Sequence, residues 1–381
     1  MSRSTVALVR CATYDPDAVY RALSRGVELL GGADRFVAPG ERMLLKPNIL
    51  AGESPDKAVT THPSVLAGAV RLLREAGAEV RFGDSPGLDD PTRAARRSGL
   101  LDAGIRRGAE LAEFSHASPL DNPTGTSVSS FPVAQAIHEC DGVVNLPKMK
   151  THQLTRITGA VKNLFGCIPG KRKALYHVQF RDVDQFSELL VELNLCLRPR
   201  LHVLDGIVAM EGNGPRSGDP RRMHVLILSQ DPVAVDATFC RLVGLDPTFV
   251  PTTMVGHEKG LGHYEQDRIE LVGEPLEALV DRDFSVIRKP VYDNASYAHY
   301  KVIKHAVLPR PVIDAAACIK CGRCVEACPV PGKALRFENG RRSPPRYDYD
   351  LCIRCYCCHE MCPERAIEKR TPLLGRMLQL G

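Results

Sequence analysis

Nine of the fourteen cysteines in this 381-residue chain lie close together near its C-terminus. They form two runs, residues 318–329 and 352–363, that repeat the spacing C-x2-C-x2-C-x3-C-P. Three thiolates on one tight loop can reach three corners of a cubane iron-sulfur cluster, while the fourth cysteine, on the helix that leaves the loop, points toward the neighbouring cluster. The spacing therefore predicts two 4Fe-4S clusters that the two runs hold crosswise.

The crossed arrangement also predicts which cysteines belong to each cluster. One cluster is expected to be bound by Cys318, Cys321, Cys324 and Cys362. The other is expected to be bound by Cys352, Cys355, Cys358 and Cys328. Zinc is the alternative metal for thiolates, but zinc sites are built from paired C-x2-C knuckles rather than triplets. Cys357 is a ninth thiol, expected to be an uninvolved neighbour, although a shifted register could use it in place of Cys358.

A second candidate site lies in residues 142–181, forty residues without a single Asp or Glu. By simple proportion, about five carboxylates would be expected there. Lysines, backbone amides and a helix N-terminus in this stretch could form an anion pocket at the carboxyl end of a strand. The candidate residues are Lys148, Lys150, His152, Lys162 and Lys171. The alternative is a solvated basic face.

Three further candidates, Lys46, Asp84 and Asp205, stand at the ends of predicted strands. In a doubly wound sheet the loops at strand ends converge on one crevice, so these side chains could face the same ligand as the lysines. The alternative for both aspartates is a turn that bonds its own backbone. His152 could equally be a satisfied surface or core histidine.

Two glycine-rich segments are near misses for nucleotide sites. Residues 166–171 have three residues between their glycines instead of the four of a phosphate loop, and Arg172 stands where Ser or Thr is required. Residues 212–218 lack the dinucleotide-binding spacing. Nucleoside triphosphate hydrolysis is therefore not indicated.

The elements that must position these residues alternate between short β-rich runs and longer amphipathic stretches, which is typical of an α/β domain with a mainly parallel sheet. Strands are predicted at residues 5–9, 42–46, 79–83, 142–146, 201–205 and 223–228. Helices are predicted at residues 17–30, 63–76, 157–165, 185–195 and 232–243. Pro63 and Pro232 suit the first position of a helix, so His62 and Asp231 are expected to be N-caps.

We therefore expect two domains joined by a linker at residues 308–311. Residues 1–305 would form the α/β domain and residues 306–381 a small α+β ferredoxin-like domain with two 4Fe-4S clusters. The sequence has no run of about 18 apolar residues and no export signal, so we expect a cytoplasmic protein without a membrane span. The formal charge of +5 falls to about +1 when the clusters assemble, which argues against nucleic acid as a partner.

The motifs outside the cysteine runs occur together in a known family. They are residues 45–48 (LKPN), 60–63 (TTHP), 83–87 (GDSPG), 145–152 (NLPKMKTH), 159–166 (GAVKNLFG), 205–206 (DG), 212–215 (GNGP) and 231–236 (DPVAVD). Over most of its length the chain resembles the family called domain of unknown function 362, in the form fused to a two-cluster ferredoxin module. Residues 355–360 are similar to the family's usual second cysteine run, which implies that Tyr356 and Cys357 are family features. The family's reaction is not generally established, so the resemblance implies an architecture and clusters but no substrate.

Two functions fit these observations. In the first, the chain is an oxidoreductase whose clusters pass single electrons to an anionic or conjugated substrate in the large domain. Lys148, His152 and Lys162 would then act on the substrate, while Lys46, Asp84, Lys150, Lys171 and Asp205 would help to bind it. In the second, the chain is a non-catalytic carrier or scaffold that docks a partner redox protein. Both functions need an electron donor or acceptor protein, and neither predicts an oligomeric state.

Overall fold

The computed structural model describes residues 3–123, 125–291 and 305–377. The strands are β1 (Ser4–Arg10), β2 (Arg42–Pro47), β3 (Glu79–Phe82), β4 (Glu110–Leu111), β5 (Ala117–Asp121), β6 (Ser130–Ala134), β7 (Gly142–Leu146), β8 (Lys148–His152), β9 (Arg156–Thr158), β10 (Leu201–Glu211), β11 (Asp219–Ser229), β12 (Ile269–Gly273), β13 (Arg310–Ile313), β14 (Leu335–Arg336), β15 (Arg346–Tyr347) and β16 (Ile367–Arg370). The α-helices are α1 (Pro16–Leu29), α2 (Pro63–Glu75), α3 (Pro91–Arg97), α4 (Leu100–Arg106), α5 (Gln135–His138), α6 (Ala160–Asn163), α7 (Arg172–Gln179), α8 (Val183–Leu197), α9 (Pro232–Leu242), α10 (Pro251–Glu258), α11 (Arg323–Ala327), α12 (Cys357–Glu360) and α13 (Leu373–Met377).

The large domain is built on a ten-stranded sheet in the order β12-β1-β11-β10-β7-β2-β3-β4, with β8 attached to β10 and β9 attached to β8. The strands from β10 to β4 along this path are parallel, whereas β11 runs antiparallel to both of its neighbours. The expected α/β domain with a mainly parallel sheet is therefore confirmed.

Both faces of the sheet are buried under apolar cores. Because alternate residues of a strand point to opposite sides, one strand can contribute side chains to a core on each face. In β1, Ala7 and Val9 belong to the apolar core that includes α1 and α2. Val6 and Leu8 belong to a second core that includes α9. Strands covered on both faces read as continuous apolar runs, which is why they could be located from the sequence.

Most predicted elements are confirmed within a few residues, and so are both N-caps. Nδ1 of His62 accepts a hydrogen bond of 3.1 Å from the Ser64 N–H, and Oδ1 of Asp231 accepts one of 2.9 Å from the Ala234 N–H. A proline at the first helical position has no N–H that needs a hydrogen-bond acceptor. The capping side chain therefore accepts only from backbone N–H groups after the proline.

The predicted helix at residues 157–165 is wrong at its start. Residues 156–158 form β9, α6 covers only Ala160–Asn163, and a 3-10 turn at Leu164–Cys167 follows it. The predicted strand at 201–205 is too short, so the expected turn at Asp205 lies inside β10. Residues 148–152, for which the sequence predicts no strand or helix, form β8 and pair with β9 and β10. Tertiary pairing overrides local propensity at these positions.

The tail is a small α+β domain, as expected. Strands β13 and β16 pair antiparallel and bring its two ends together, while α11 and α12 lie within the two cysteine runs. The linker predicted at 308–311 is wrong, because Leu308 is fully buried and β13 begins at Arg310. Residues 292–304, which come directly before the predicted domain boundary at residues 305 and 306, lie outside the described residues. Within residues 3–123, 125–291 and 305–377, none of the helices is long and apolar enough to cross a bilayer.

Candidate functional site

A cleft of about 290 Å³ separates the large domain from the cysteine-rich tail. Five of the eight residues that the sequence singles out in the large domain line it, namely Asp84, Lys150, His152, Lys162 and Lys171. The facing wall belongs to the tail and includes Glu326, Cys328, Lys333, Cys357, Glu360 and Met361. The candidate residues thus converge, but the site they form lies between the domains and not within the large one.

Lys148 and Asp205 do not line this cleft, contrary to expectation. Nζ of Lys148 is 2.8 Å from Oδ2 of Asp205 and 2.7 Å from the Tyr14 hydroxyl, which itself donates to Oδ1 of Asp205 at 2.8 Å. The backbone N–H of His62 also donates to Oδ2 of Asp205, at 2.9 Å. Burial lowers the pKa of Lys148, although Asp205 opposes this shift. The network is closed and buried, so its geometry is that of a structural ion pair.

Lys46 and Asp84 form a second buried ion pair, with 2.8 Å between Nζ and Oδ1. Lys46 does not line the cleft but lies behind Asp84, and the Ile49 N–H donates to Oδ2 of Asp84 at 2.7 Å. This close approach needs a glycine at position 166, because a Cβ there would be 2.0 Å from Oδ1 of Asp84. The pair links three of the sequence motifs, at residues 45–48, 83–87 and 159–166.

His152 meets the tail across the cleft. Its Nδ1 accepts hydrogen bonds from the N–H groups of Leu154 and Thr155, at 3.0 and 3.3 Å, so the ring proton is on Nε2. Nε2 is 2.9 Å from Oε1 of Glu360 in α12. Burial lowers the pKa of His152 to about 3, so the ring is neutral at physiological pH. His152 is therefore a buried hydrogen-bond donor that neither takes up nor releases a proton near neutral pH.

Glu360 is ionised, although it is buried against the large domain. Burial acts to raise its pKa, but the Lys162 ammonium and the His152 ring outweigh that effect and lower it. Within the described part of the chain, neither Nε2 of His152 nor Oε1 of Glu360 has a well-aligned hydrogen bond, despite their short separation. Both atoms keep hydrogen-bonding capacity at the cleft, which a ligand could use.

The lysines of the cleft differ in their partners. Nζ of Lys150 donates to Oδ1 of Asn48 and to the Val59 carbonyl, each at 2.8 Å, and burial lowers its pKa to about 7. Lys171 is three-quarters exposed and lies 3.4 Å from Glu326. The solvated-face alternative is therefore wrong for Lys150 but describes Lys171.

Lys162 differs from these lysines because its ammonium has no direct polar contact with the described residues. Its ammonium lies 6.0 Å from the centre of the Phe165 ring, and it makes no hydrogen bond or ion pair with any residue that the structure describes. Lys162 belongs to α6, which is only four residues long, so its position depends on the packing around that helix. Its ammonium acts on the Glu360 carboxylate only through a longer-range attraction, so it is suited to direct contact with a bound anion.

The cleft also contains residues that the sequence did not single out. Nζ of Lys173 donates to the Ser85 hydroxyl at 2.9 Å and to the Ile168 carbonyl at 2.7 Å, and burial lowers its pKa to about 7. Lys173 lies in the same carboxylate-free stretch as Lys171, and that signal could have found it. For Glu360 no such signal existed, since only the docking of the tail brings it to the cleft.

The first predicted cluster site is a small cavity lined by the four expected cysteines, Cys318, Cys321, Cys324 and Cys362. Burial, followed by the neighbouring Cys362, Cys321 and Cys318 sulfurs, raises the pKa of Cys324 to about 12. Thiolates crowded in this way are stable only when a metal compensates their charge. The residues present therefore fit an iron-sulfur cluster.

The second predicted set is also gathered in space. Cys328 and Cys352 belong to one apolar cluster with Ala334. Burial raises the pKa of Cys352 to about 11, and the Cys355 and Cys328 sulfurs add to that shift. Cys357 lines the cleft instead, and a hydrogen bond from its thiol lowers the pKa of Cys355.

Polar contacts outside the cleft hold the tail against the large domain. Nη1 of Arg216 donates to the Met361 carbonyl at 2.8 Å, and its other nitrogens contact Glu53. Arg323 of α11 pairs with Asp89 at 2.9 Å. These contacts fix the wall that carries Glu360 and Cys328 opposite the lysines.

Comparisons with known proteins agree with this architecture. Residues 43–241 match the family described as "Domain of unknown function (DUF362)", and residues 310–363 match a 4Fe-4S dicluster domain. A thylakoid-associated protein of Synechocystis sp. is 36% identical over 281 residues, which cover 73% of this chain and 86% of that protein.

A crystal structure of a Thermotoga maritima protein is 13% identical, and the likeness covers 65% of this chain and 59% of that chain. Its TM-score of 0.31 is too low to support any inference. The dicluster match supports an iron-sulfur electron-transfer role. The chain belongs to the DUF362 family and carries a C-terminal dicluster domain with two 4Fe-4S clusters.

Proposed function

We propose that the chain is an oxidoreductase that delivers single electrons to an anionic substrate with a conjugated, reducible bond, bound in the cleft between the two domains. One observation carries this proposal. Cys328, which we assign as a cluster ligand, lines the same cleft as Lys150 and Lys162. An enzyme that uses a redox cofactor has to place the cofactor close to the substrate. A cluster bound through Cys328 would lie at the edge of the cleft that holds the substrate.

The charges of the cleft favour an anion. Five lysines and three carboxylates line it, and one of the carboxylates, Asp84, is already neutralised by Lys46. Lys162 is available to bind a carboxylate or phosphate, and Nε2 of His152 can donate a hydrogen bond beside it. A bound anion would raise the lowered pKa values of Lys150 and Lys173, so binding should take up protons.

The same lysines could supply the protons of the reaction. Reduction of a double bond by two electrons consumes two protons, and the electrons arrive singly from the clusters, which an external donor protein must refill. Lys150 and Lys173 have pKa values of about 7, which suit proton donors at neutral pH. We assign binding to Lys162 and His152, and proton supply to Lys150 and Lys173.

We assign Cys318, Cys321, Cys324 and Cys362 to one cluster and Cys352, Cys355, Cys358 and Cys328 to the other. The shared cavity of the first set supports this crossed arrangement. Serine substitution of Cys328 should disturb the cluster on the second run, and substitution of Cys362 the cluster on the first. Electron paramagnetic resonance of the reduced variants can separate the two. Loss of the first-run cluster on substitution of Cys328 would contradict the assignment.

The substrate proposal can be tested with oxygen-free, fully iron-loaded protein. Unsaturated carboxylates and phosphate esters are screened for a rise in melting temperature, and each compound that binds is mixed with chemically reduced protein. A substrate should re-oxidise the clusters, seen as recovery of their visible absorbance. Lys162→Ala should weaken binding about tenfold or more, since it removes a charge-assisted contact.

Lys289→Ala is the matched control, because Lys289 is an exposed lysine outside the cleft. It should bind and re-oxidise like the unaltered protein. If Lys162→Ala and His152→Ala both leave binding and re-oxidation unchanged, the cleft is not the substrate site.

The carrier alternative is supported by a different surface. Ile319 and Leu351 are exposed apolar residues that stand next to Cys318 and Cys352, as expected where a partner redox protein docks. Ile319→Glu should slow reduction by a donor protein and leave ligand binding in the cleft unchanged. A chain that exchanges electrons with proteins but reacts with no compound of the screen would be a carrier.

The location in the cell stays a prediction. The sequence favours the cytoplasm, and the Synechocystis relative is described as thylakoid-associated. Separation of membranes from the soluble fraction, followed by immunodetection, would decide between a free protein and a membrane-associated one.

A further inference from the structure

Two histidines and a glutamate meet at the end of α10 and in the turn that follows it. One ligand atom each of His257, His263 and Glu265 lies within 4.8 Å of the others. Nε2 of His257 is 3.1 Å from Oε1 of Glu265. None of the three residues lines the cleft between the domains, and none belongs to a cysteine run. The cluster therefore has no part in the function proposed above.

The hydrogen bond of His257 determines which of its ring nitrogens is free. Nδ1 is 3.3 Å from the Gly262 carbonyl, and because a carbonyl can only accept, Nδ1 carries the proton. In the neutral ring Nε2 then presents a lone pair to the Glu265 carboxylate. Two acceptors at 3.1 Å repel each other unless a proton or a cation lies between them. A histidine bonded to a carbonyl through one nitrogen is the usual arrangement around a bound metal.

Two further polar atoms of the cluster point to the same conclusion. Nδ1 of His263 and Oε2 of Glu265 are shielded from solvent, and among the described residues they have no hydrogen-bond partner. Leaving such shielded groups without a partner destabilises the folded chain. The His263 backbone is fixed by its N–H, which donates to Oδ2 of Asp231 at 2.8 Å. A metal ion would satisfy these free atoms together.

We propose that His257, His263 and Glu265 bind one divalent transition-metal ion, and that the ion is zinc. Two imidazoles and a carboxylate form a known zinc ligand set, with water in the fourth position. Tetrahedral zinc holds its donors about 3.4 Å apart, so the separation of His257 and Glu265 already suits it. Ferrous iron also accepts this ligand set but binds more weakly to such ligands than zinc does.

The ion would join the end of α10 to the turn at residues 259–265. That turn leads into β12, the strand at the edge of the sheet beside β1. Because metal binding free energy adds to folding free energy, occupancy should stabilise this edge. The site would be structural and separate from the clusters.

The test uses the full chain, loaded with iron and free of oxygen. The protein is equilibrated by dialysis against buffered Zn²⁺, and zinc and iron are counted by mass spectrometry. The unaltered protein should bind about one zinc per chain without losing iron. His263→Ala and Glu265→Gln should each lower the affinity for zinc by at least about tenfold, since each removes a ligand.

His116→Ala is the matched control, because exposed His116 also lies 3.1 Å from a glutamate, Glu113, but forms no group of three ligands with the residues that the structure describes. It should bind zinc like the unaltered protein. Hydrogen exchange of residues 259–265 should slow when zinc is added to the unaltered protein, and this readout needs no variant.

Absence of zinc from the iron-loaded unaltered protein would overturn the proposal and leave an ordinary ion pair between protonated His257 and Glu265. Zinc uptake that displaces iron would place the zinc on the cysteines and would equally overturn it. Equal zinc binding by His263→Ala and the unaltered protein would exclude His263 as a ligand and with it the three-residue site.

Discussion

Three lysines, Lys46, Lys148 and Lys150, have almost completely buried side chains. Burial of a charge is costly, so each requires compensation within the protein. Lys46 and Lys148 pair with Asp84 and Asp205, while Lys150 donates to neutral oxygens and has a pKa lowered to about 7. At the residue scale the buried lysines thus divide into structural ion pairs and one titratable amine beside the cleft.

We predict that Lys148→Met destabilises the protein by about 3–5 kcal/mol, because it leaves the Asp205 carboxylate buried without its cation. Urea unfolding followed by far-ultraviolet circular dichroism measures the loss. The control is Arg81→Met, which removes half-exposed ion pairs with Glu110 and Glu139 and should cost less than about 1 kcal/mol. Equal losses in both variants would contradict the structural role of the buried pair.

At the scale of elements, the short helix α6 is positioned by other parts of the chain. Four residues cannot form a stable helix alone. The Asp236 carboxylate in α9 accepts hydrogen bonds from the N–H groups of Ala160 and Val161, at 2.6 and 3.2 Å. A Cβ at Gly159 would lie 2.1 Å from Oδ1 of Asp236, so only glycine allows this approach. Lys162 in α6 is therefore placed by α9.

We predict that Gly166→Ala costs about 3–5 kcal/mol, because the added Cβ would lie 2.0 Å from Oδ1 of Asp84 and 2.8 Å from Nζ of Lys46 and would force their ion pair apart. The decrease in melting temperature of iron-loaded protein measures the effect. Gly340→Ala is the control, with a φ of 62° and open space around the added atom, and should cost about 1–2 kcal/mol. A smaller loss for Gly166→Ala than for Gly340→Ala would count against the close packing described here.

Asp236 should give the protein a pH-dependent stability. Burial raises its pKa to about 7, from an ordinary value of 3.8, so the folded chain binds more protons than the unfolded chain between these values. The free energy of unfolding should therefore fall as pH rises from 3.8 toward 7, by at most about 1.4 kcal/mol per pH unit from this group. Asp236→Asn should remove that part of the slope.

Urea midpoints over a pH series measure the slope. The comparison is made on the slope and not on absolute stability, because an asparagine amide cannot accept the hydrogen bonds of both Ala160 and Val161. A slope that is the same in the variant would show that Asp236 is ionised throughout.

At the scale of the whole molecule, the docking of the tail creates the cleft. Arg216, Arg323 and His359 contact partners across the boundary between the domains, and His152 meets Glu360 there. Both walls are needed to enclose a ligand, so domain contact and binding should be coupled.

We predict that Arg216→Ala increases hydrogen exchange in α7 and α12 by about fivefold or more, because the buried Arg216 joins Glu53 to the Met361 carbonyl, a contact worth at least about 1 kcal/mol. Mass spectrometry of iron-loaded protein measures the exchange. Arg365→Ala is the matched control at the same boundary, since its ion pair with Asp219 is exposed and should contribute little. Unchanged exchange in Arg216→Ala would contradict the coupling.

The sequence by itself determined the features that depend on near neighbours along the chain. The cysteine spacing indicated two clusters, because ligands on one loop are positioned by a few residues. Apolar runs located the buried strands, and prolines placed the N-caps at His62 and Asp231. The carboxylate-free stretch at 142–181 predicted an anion site, and three of its lysines, Lys150, Lys162 and Lys171, line the cleft in which we propose that site.

Only the tertiary structure decided which basic residues face the cleft. Lys148 and Lys150 stand two positions apart on β8, yet Lys148 is paired with Asp205, 57 residues away, while Lys150 lines the cleft. His152 meets Glu360 only because the tail folds back onto the large domain. Such contacts join segments that are far apart in the chain, so no local pattern specifies them.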